Sequence, residues 1–163
     1  MPKALRRGRI SSRRTILPPE AERRPPVLIG GEEEGKLELL EELKQLVHIL
    51  VAVVLGFAIG YERKLRFKEA GIRTHTIVCA GAALMMVVSK HGFGGEEADA
   101  SRVAAEVDAR IGLLGAGMIV DLKHEVHGLT TAAGVWATAG IGMAAGAGLY
   151  IIAAGATAII IGV

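Results

Sequence analysis

Apolar and polar residues fall in long blocks along this chain. After a polar start come five apolar runs: Leu46–Tyr61, Thr74–Ser89, Val103–Val120, Leu129–Ala147 and Leu149–Val163. The runs are continuous and rich in Ala, Gly and Leu, whereas a strand crossing a membrane alternates residue by residue. The pattern therefore predicts helices, which satisfy their own backbone hydrogen bonds in lipid. The expected fold is all-α, a polytopic membrane bundle of about five transmembrane helices. The first run is short for a span of ~20 residues. Part of its lead-in, with Glu38, Glu41 and Glu42, is therefore expected near the interface. The third run is interrupted by Glu106, Asp108 and Arg110.

Composition strengthens the membrane reading. From Gly128 to Val163 there is no Asp, Glu, Lys or Arg, and a soluble surface almost always needs charge over such a length. Mean hydropathy is +0.41. The net charge of +2 says little about partners. The single cysteine, Cys79, excludes an internal disulfide and a cysteine-built zinc site. Inside an apolar run it reads as a buried, inert thiol.

Charge also sets an orientation. The loop Glu62–Arg73 carries Arg63, Lys64, Arg66, Lys68 and Arg73, whereas Lys90–Arg102 is acidic on balance. By the excess of Lys and Arg on the cytoplasmic side, the first loop and Asp121–His127 are expected inside and the second loop outside. Five spans then place the N-terminus outside and the C-terminus in the cytoplasm, in an inner or plasma membrane. Residues 1–36 form a separate basic stretch holding all 5 prolines. They show no helical or strand period, so a disordered tail is the expectation. They lack the apolar core of a secretory signal. Their positive charge opposes the orientation above. A second reading removes that conflict: GGEEEG at Gly30–Gly35 matches what a purine-rich ribosome-binding run would encode, with translation starting near Leu37.

Small residues supply the packing candidates. Gly56 and Gly60 form G-x-x-x-G in the first run, and Gly142 and Gly146 another in the fourth. Gly112, Gly115 and Gly117 lie in the third as GLLGAG. Such spacings let helix backbones approach closely, either within this chain or against a partner membrane protein or a second copy. Ionisable groups at membrane depth are the functional candidates, because they are costly there. Glu106 and Arg110 are four apart and share a helix face, so they are expected to pair. Asp108 points elsewhere and needs another partner, Arg73 or His75. Glu62 and Arg63 end the first run close to Arg73, Thr74 and His75 at the start of the second, and across a short hairpin they can form a charged cytoplasmic cluster. His48 reads as a packing residue. His124 and His127, beside Asp121 and Glu125, are a candidate metal corner. No nucleophile–base pair, P-loop or zinc-hydrolase motif is present, so neither an enzyme nor a cofactor is expected, and nucleic acid is not expected as a partner.

Four stretches together resemble the membrane domain of the MgtC/SapB family: GFAIGYERKLR (Gly56–Arg66), AGIRTHTIVCAGAAL (Ala70–Leu84), RVAAEVDARIGLLGAGMIV (Arg102–Val120) and GLTTAAGVWATAGIGMAAGAGLY (Gly128–Tyr150). The resemblance covers nearly everything beyond the tail, residues 37–163 forming the family's transmembrane domain. It implies a five-helix inner-membrane bundle acting as a regulator of other membrane proteins, the ATP synthase among them, linked to low magnesium and virulence-type stress. The alternative is a transporter of Mg2+ or another ion. Motif positions carried over are Gly60, Glu62, Arg73, Thr74, His75, Gly112, Gly115, Gly117, Gly128, Leu129, Thr130, Thr131 and Trp136. Of these, Glu62, Arg73 and His75 are the functional candidates. Asp108 and Arg110 depart from the small or apolar residues usual in the family's third segment. A Mg2+ path would need acidic groups inside the bundle, for which Glu106 and Asp108 are the candidates, with Glu62 at the mouth.

Overall fold

The computed structural model describes residues 31–92, 100–122 and 125–163. Five helices follow in order: α1 (Gly31–Leu65), α2 (Ile72–His91), α3 (Ala100–Ala116), α4 (Leu129–Gly146) and α5 (Tyr150–Gly162). The all-α bundle expected from the apolar blocks is present. By length and hydropathy alone α1 and α2 can cross a membrane, and α5 is a shorter apolar helix.

Three boundaries differ from the sequence reading. Helix α1 begins at Gly31, inside the stretch expected as tail, and residues 1–30 lie outside the described residues. Its 35 residues rise about 52 Å at ~1.5 Å each, well beyond a hydrocarbon core of about 30 Å. Good helix formers (Glu, Leu, Lys) continue it through the charged lead-in. Helix α3 ends at Ala116, short of Val120. A two-stranded antiparallel hairpin follows, β1 (Val120–Leu122) and β2 (Glu125–His127), where a plain loop was expected. Val120 faces His127 and Leu122 faces Glu125 in its register. Gly128 then turns the chain into α4 with φ +88°, and a Cβ there would lie 2.0 Å from the Met118 carbonyl oxygen. Only glycine meets both conditions.

Helix α2 is the centre of the bundle, covered by α1 on one side and α4 on the other. The stripe Ala52, Gly56, Ile59, Gly60 and Arg63 is buried on α1, as are His75, Cys79, Ala82, Ala83 and Val87 on α2. These recur at three- and four-residue steps, the period of one helix face. On α4 the same spacing runs through Thr131, Val135, Thr138, Ala139, Gly142 and Ala145. Core side chains are small, which lets backbones rather than side chains meet. Cys79 is free and fully buried, as its setting suggested.

The glycine pairs explain the closeness. A Cβ on Gly56 would lie 2.7 Å from both the His75 carbonyl oxygen and Cys79 Cβ. One on Gly60 would lie 2.6 Å from Ile72 Cα. On the other side, Gly142 meets the Cys79 carbonyl oxygen and Gly146 that of Ala83, at 2.2 and 2.5 Å from the built Cβ. Both G-x-x-x-G pairs thus pack this chain on itself. The third-run motif contributes less: Gly115 meets Ala132 of α4, Gly112 has nothing within 4 Å, and Gly117, just past α3, meets only the carbonyls of Leu113 and Leu114.

Candidate functional site

The C-terminus of α1 and the N-terminus of α2 bring the charged candidates to one end of the bundle. There Arg63 is only 7% exposed. Its Nε donates to Glu62 Oε2 at 2.6 Å, and its Nη2 donates to the Ile160 carbonyl at 3.3 Å, reaching across to α5. Arg66, one turn on, forms an ion pair with the same Glu62 carboxylate. A guanidinium can serve a carboxylate and a carbonyl at once because its donors are fixed in a planar fork. Glu62 is therefore held by Arg63 of its own helix and by Arg66 just past the helix end.

His75 points the other way, into the core, and is fully buried. Its Nδ1 lies 2.8 Å from Thr138 Oγ1 on α4. The Thr138 hydroxyl donates its one proton to the Gly134 carbonyl at 2.7 Å. The same oxygen can then only accept from His75, so Nδ1 carries a proton. In a neutral ring this leaves Nε2 a bare acceptor, and Nε2 is buried without a partner among the described residues. Arg73 and Thr74 line a separate surface hollow of about 400 Å³ with Lys64, Gly71 and Ile72. Arg73 is exposed and makes no ion pair among the described residues. The structure thus gives Glu62, His75 and Arg73 three different surroundings at neighbouring sequence positions. Thr138, the partner of His75, is a residue the sequence reading missed. Its signal was a hydroxyl seven residues after Thr131, on the same face of an otherwise apolar helix.

The third-segment charges lie on the outside of α3. Glu106 and Arg110 pair at 3.4 Å, as their spacing implied, with both side chains well exposed. Asp108 corrects the expectation: its partner is neither Arg73 nor His75. Trp136 Nε1–H of α4 donates to Asp108 Oδ1 at 2.5 Å. The packing of α3 against α4 sets this pairing, since Gly115 on Ala132 brings the outer edges of the two helices together. Between α2 and α3 runs an apolar groove of about 490 Å³ with Ile77, Met85 and Ile111 in its lining and Glu106 and Arg110 at its edge. The candidate metal corner lies partly outside the described residues. His127 pairs with Glu125 at 3.6 Å, and His124 lies outside the described residues. No group of three or more His, Cys, Asp or Glu side chains able to hold a metal occurs among the described residues.

Family comparison agrees with the position of these motifs. The family model described as "MgtC family" matches residues 49–163, from the start of the apolar part of α1 to the last residue. The chain belongs to the MgtC family. Among its relatives, "Protein MgtC" of Brucella abortus (strain 2308) is 46% identical over 112 residues, covering 69% of this chain and 46% of the relative. "Putative magnesium transporter YhiD" of Escherichia coli (strain K12) is 43% identical over 111 residues, 64% of this chain and 52% of its own. "Protein MgtC" of Salmonella typhimurium (strain 14028s / SGSC 2262) is 40% identical over 116 residues, with coverages of 71% and 49%. The chain therefore spans about half the length of the curated relatives it matches. No solved structure matches it. As an MgtC-family chain with two helices able to span a bilayer, it is a membrane protein.

Proposed function

We propose that this MgtC-family chain is a multi-pass regulator of other membrane proteins, linked to magnesium limitation, and that it acts through helix contacts rather than by conducting ions. The observation that carries this reading is the placement of the carboxylates. Glu106 and Asp108 lie on the exposed face of α3, tied to Arg110 and Trp136, and Glu62 is held by Arg63 and Arg66. Mg2+ keeps its waters and favours a few free carboxylates, whereas each of these already has a cationic or N–H partner. The two glycine pairs are used inside the chain. That leaves the outer face of α3, where Leu113 is exposed, for a partner such as the ATP synthase or a second copy. Arg63, Lys64, Arg66, Lys68 and Arg73 share one end of the bundle. This supports a cytoplasmic α1–α2 loop, with the start of α1 outside and the end of α5 inside.

The name of the E. coli relative supports a second reading, Mg2+ transport. Uptake into proteoliposomes holding the purified full chain, followed with an internal magnesium dye, separates the two. The regulator reading expects dye signals equal to those of empty vesicles. It also expects Arg73→Ala to impair growth in low magnesium at unchanged protein level. Saturable uptake abolished by Asp108→Asn would overturn it in favour of transport.

A further inference from the structure

Helix α1 has two opposite faces. One packs on the bundle through Ala52, Gly56, Ile59 and Arg63. The other is apolar and bare. Its residues recur in alternating steps of three and four: Leu40, Val47 and Val54 form one row, Leu43, Leu50 and Phe57 the next, and Tyr61 closes the stripe. All of them are 48–65% exposed. This is the a/d repeat of a coiled coil, sustained over three heptads. Lipid covers only part of it. Residues 46–65 rise about 30 Å at ~1.5 Å each, the full thickness of a hydrocarbon core, and the basic loop follows directly. The lead-in, residues 31–45, therefore stands about 22 Å clear of that core. There the 100° turn per residue puts Glu38, Glu41, Glu42 and Gln45 in line with the bundle-facing side of the helix. Glu41, Lys44 and Gln45 line a hollow with His91 of α2 and Tyr150 of α5. Leu39, Leu40 and Leu43 lie on the opposite side and are half-exposed. A leucine face in water gains free energy from a cover.

The side chains specify that cover. Valine in the first row with leucine in the second favours a parallel, two-stranded coiled coil. Two copies inserted in one membrane in the same sense meet in parallel. The carboxylates of the lead-in lie off the seam, so no like charges face each other across a two-fold axis. Lys44, at the edge of the seam, is neutralised by Glu41 of its own helix at 2.5 Å. The area is also sufficient. At roughly 150 Å² per fully bare side chain, covering the exposed half of the seam with its flanking Leu39 and Leu46 buries about 700 Å² per copy, near the ~800 Å² of a standard interface. We propose that the outer face of α1 is a dimer interface, on which a second copy of this chain packs in parallel from Leu40 to Tyr61. Within the span the seam acts by packing, because lipid is as apolar as leucine. In the lead-in the hydrophobic effect adds to it. The outer face of α3 stays open for a different membrane protein.

Thiol crosslinking of the full chain in proteoliposomes tests this. The native thiol, Cys79, is buried and provides the background. Leu40→Cys and Leu43→Cys, on the seam, are expected to convert the 17.1 kDa band to twice that mass. Glu38→Cys and Gln45→Cys, at the same height on the opposite side, are expected to stay at 17.1 kDa. A second measurement does not depend on cysteine. The double variant Leu40→Glu/Leu43→Glu sets like charges across the seam at two half-exposed positions. It should elute as a monomer in size exclusion with light scattering where the wild type elutes as a dimer, with unchanged helical circular dichroism. Equal crosslinking at all four positions would mean collision without a seam and would overturn the interface. So would crosslinking at none of them, or a doubled mass formed through Leu113→Cys of α3 alone.

Discussion

Replacing Gly142 with alanine adds one methyl group at the tightest contact between α4 and α2. The new Cβ would sit 2.2 Å from the Cys79 carbonyl oxygen, 2.9 Å from its carbon and 3.0 Å from Ala82 Cβ. Comfortable carbon contacts begin near ~3.5 Å, so the helices must part by roughly an ångström. The first two of those atoms are backbone, and no rotamer can relieve the clash. Parting also loosens Gly146 from Ala83, one turn on. Overpacking of this kind costs about 1–3 kcal/mol, and the upper half of that range is expected here. Gly140, on the same helix, provides the control, because nothing lies within 4 Å of its Cβ position. Alanine there should be neutral or stabilising by up to about 1 kcal/mol, the difference in helix propensity. The two variants differ by one methyl each, so hydropathy and length are matched. Thermal unfolding of the full chain in detergent, followed by fluorescence-detected size exclusion, should place Gly142→Ala clearly below wild type and Gly140→Ala at or above it. Equal melting of the two would refute backbone contact as what sets the α2–α4 distance.

Three further outcomes are expected. Thr138→Val removes the acceptor of His75 Nδ1–H and should destabilise by about 1–3 kcal/mol, the cost of a buried unpaired donor. Thr138→Ser should be near wild type in the same melting assay. Arg63→Met leaves Glu62 with Arg66 alone and the Ile160 carbonyl without its donor. It should cost about 3–5 kcal/mol, and adding Glu62→Gln should recover part of the loss, as a double-mutant cycle would show. Trp136 is the single tryptophan. Asp108→Ala removes the acceptor of its indole N–H and should shift its fluorescence emission to shorter wavelength, whereas an unchanged spectrum would refute that bond.

Most of the helices were legible because the chain marks their ends. Charge clusters bracket α2, and the expected fourth run differs from α4 by a single residue. The third run was overread because β1 and β2 have three residues each, too few for a period of two to stand out. The glycine spacings announced close approach but not its object, since G-x-x-x-G is the same signal for any neighbouring helix. Only the contacts show both pairs turned toward α2. The site was legible as a set of residues and not as an arrangement. Glu62, Arg73 and His75 are near in sequence, yet the 100° turn per helical residue sends His75 to Thr138 and Arg73 to the surface. Asp108 was recognised as needing a partner. Its actual partner, Trp136, depends on how α3 leans on α4, which the sequence does not state.

The glycine contacts on both flanks of α2 also restrict how the molecule can move. Sliding α4 along α2 by one turn, about 5.4 Å, would bring Thr138 into the seat now held by Gly142, against the Cys79 carbonyl. In the opposite direction Gly146 takes that seat, and the helix has run out where the second one is needed. The α1 side is keyed in the same way by Gly56 and Gly60. Ratcheting and gradual shear are therefore closed to these three helices, which must travel as one rigid body. Any change of state in this chain is left to α3 and α5, whose rims carry the Asp108–Trp136 bond and the Arg63 strap to Ile160.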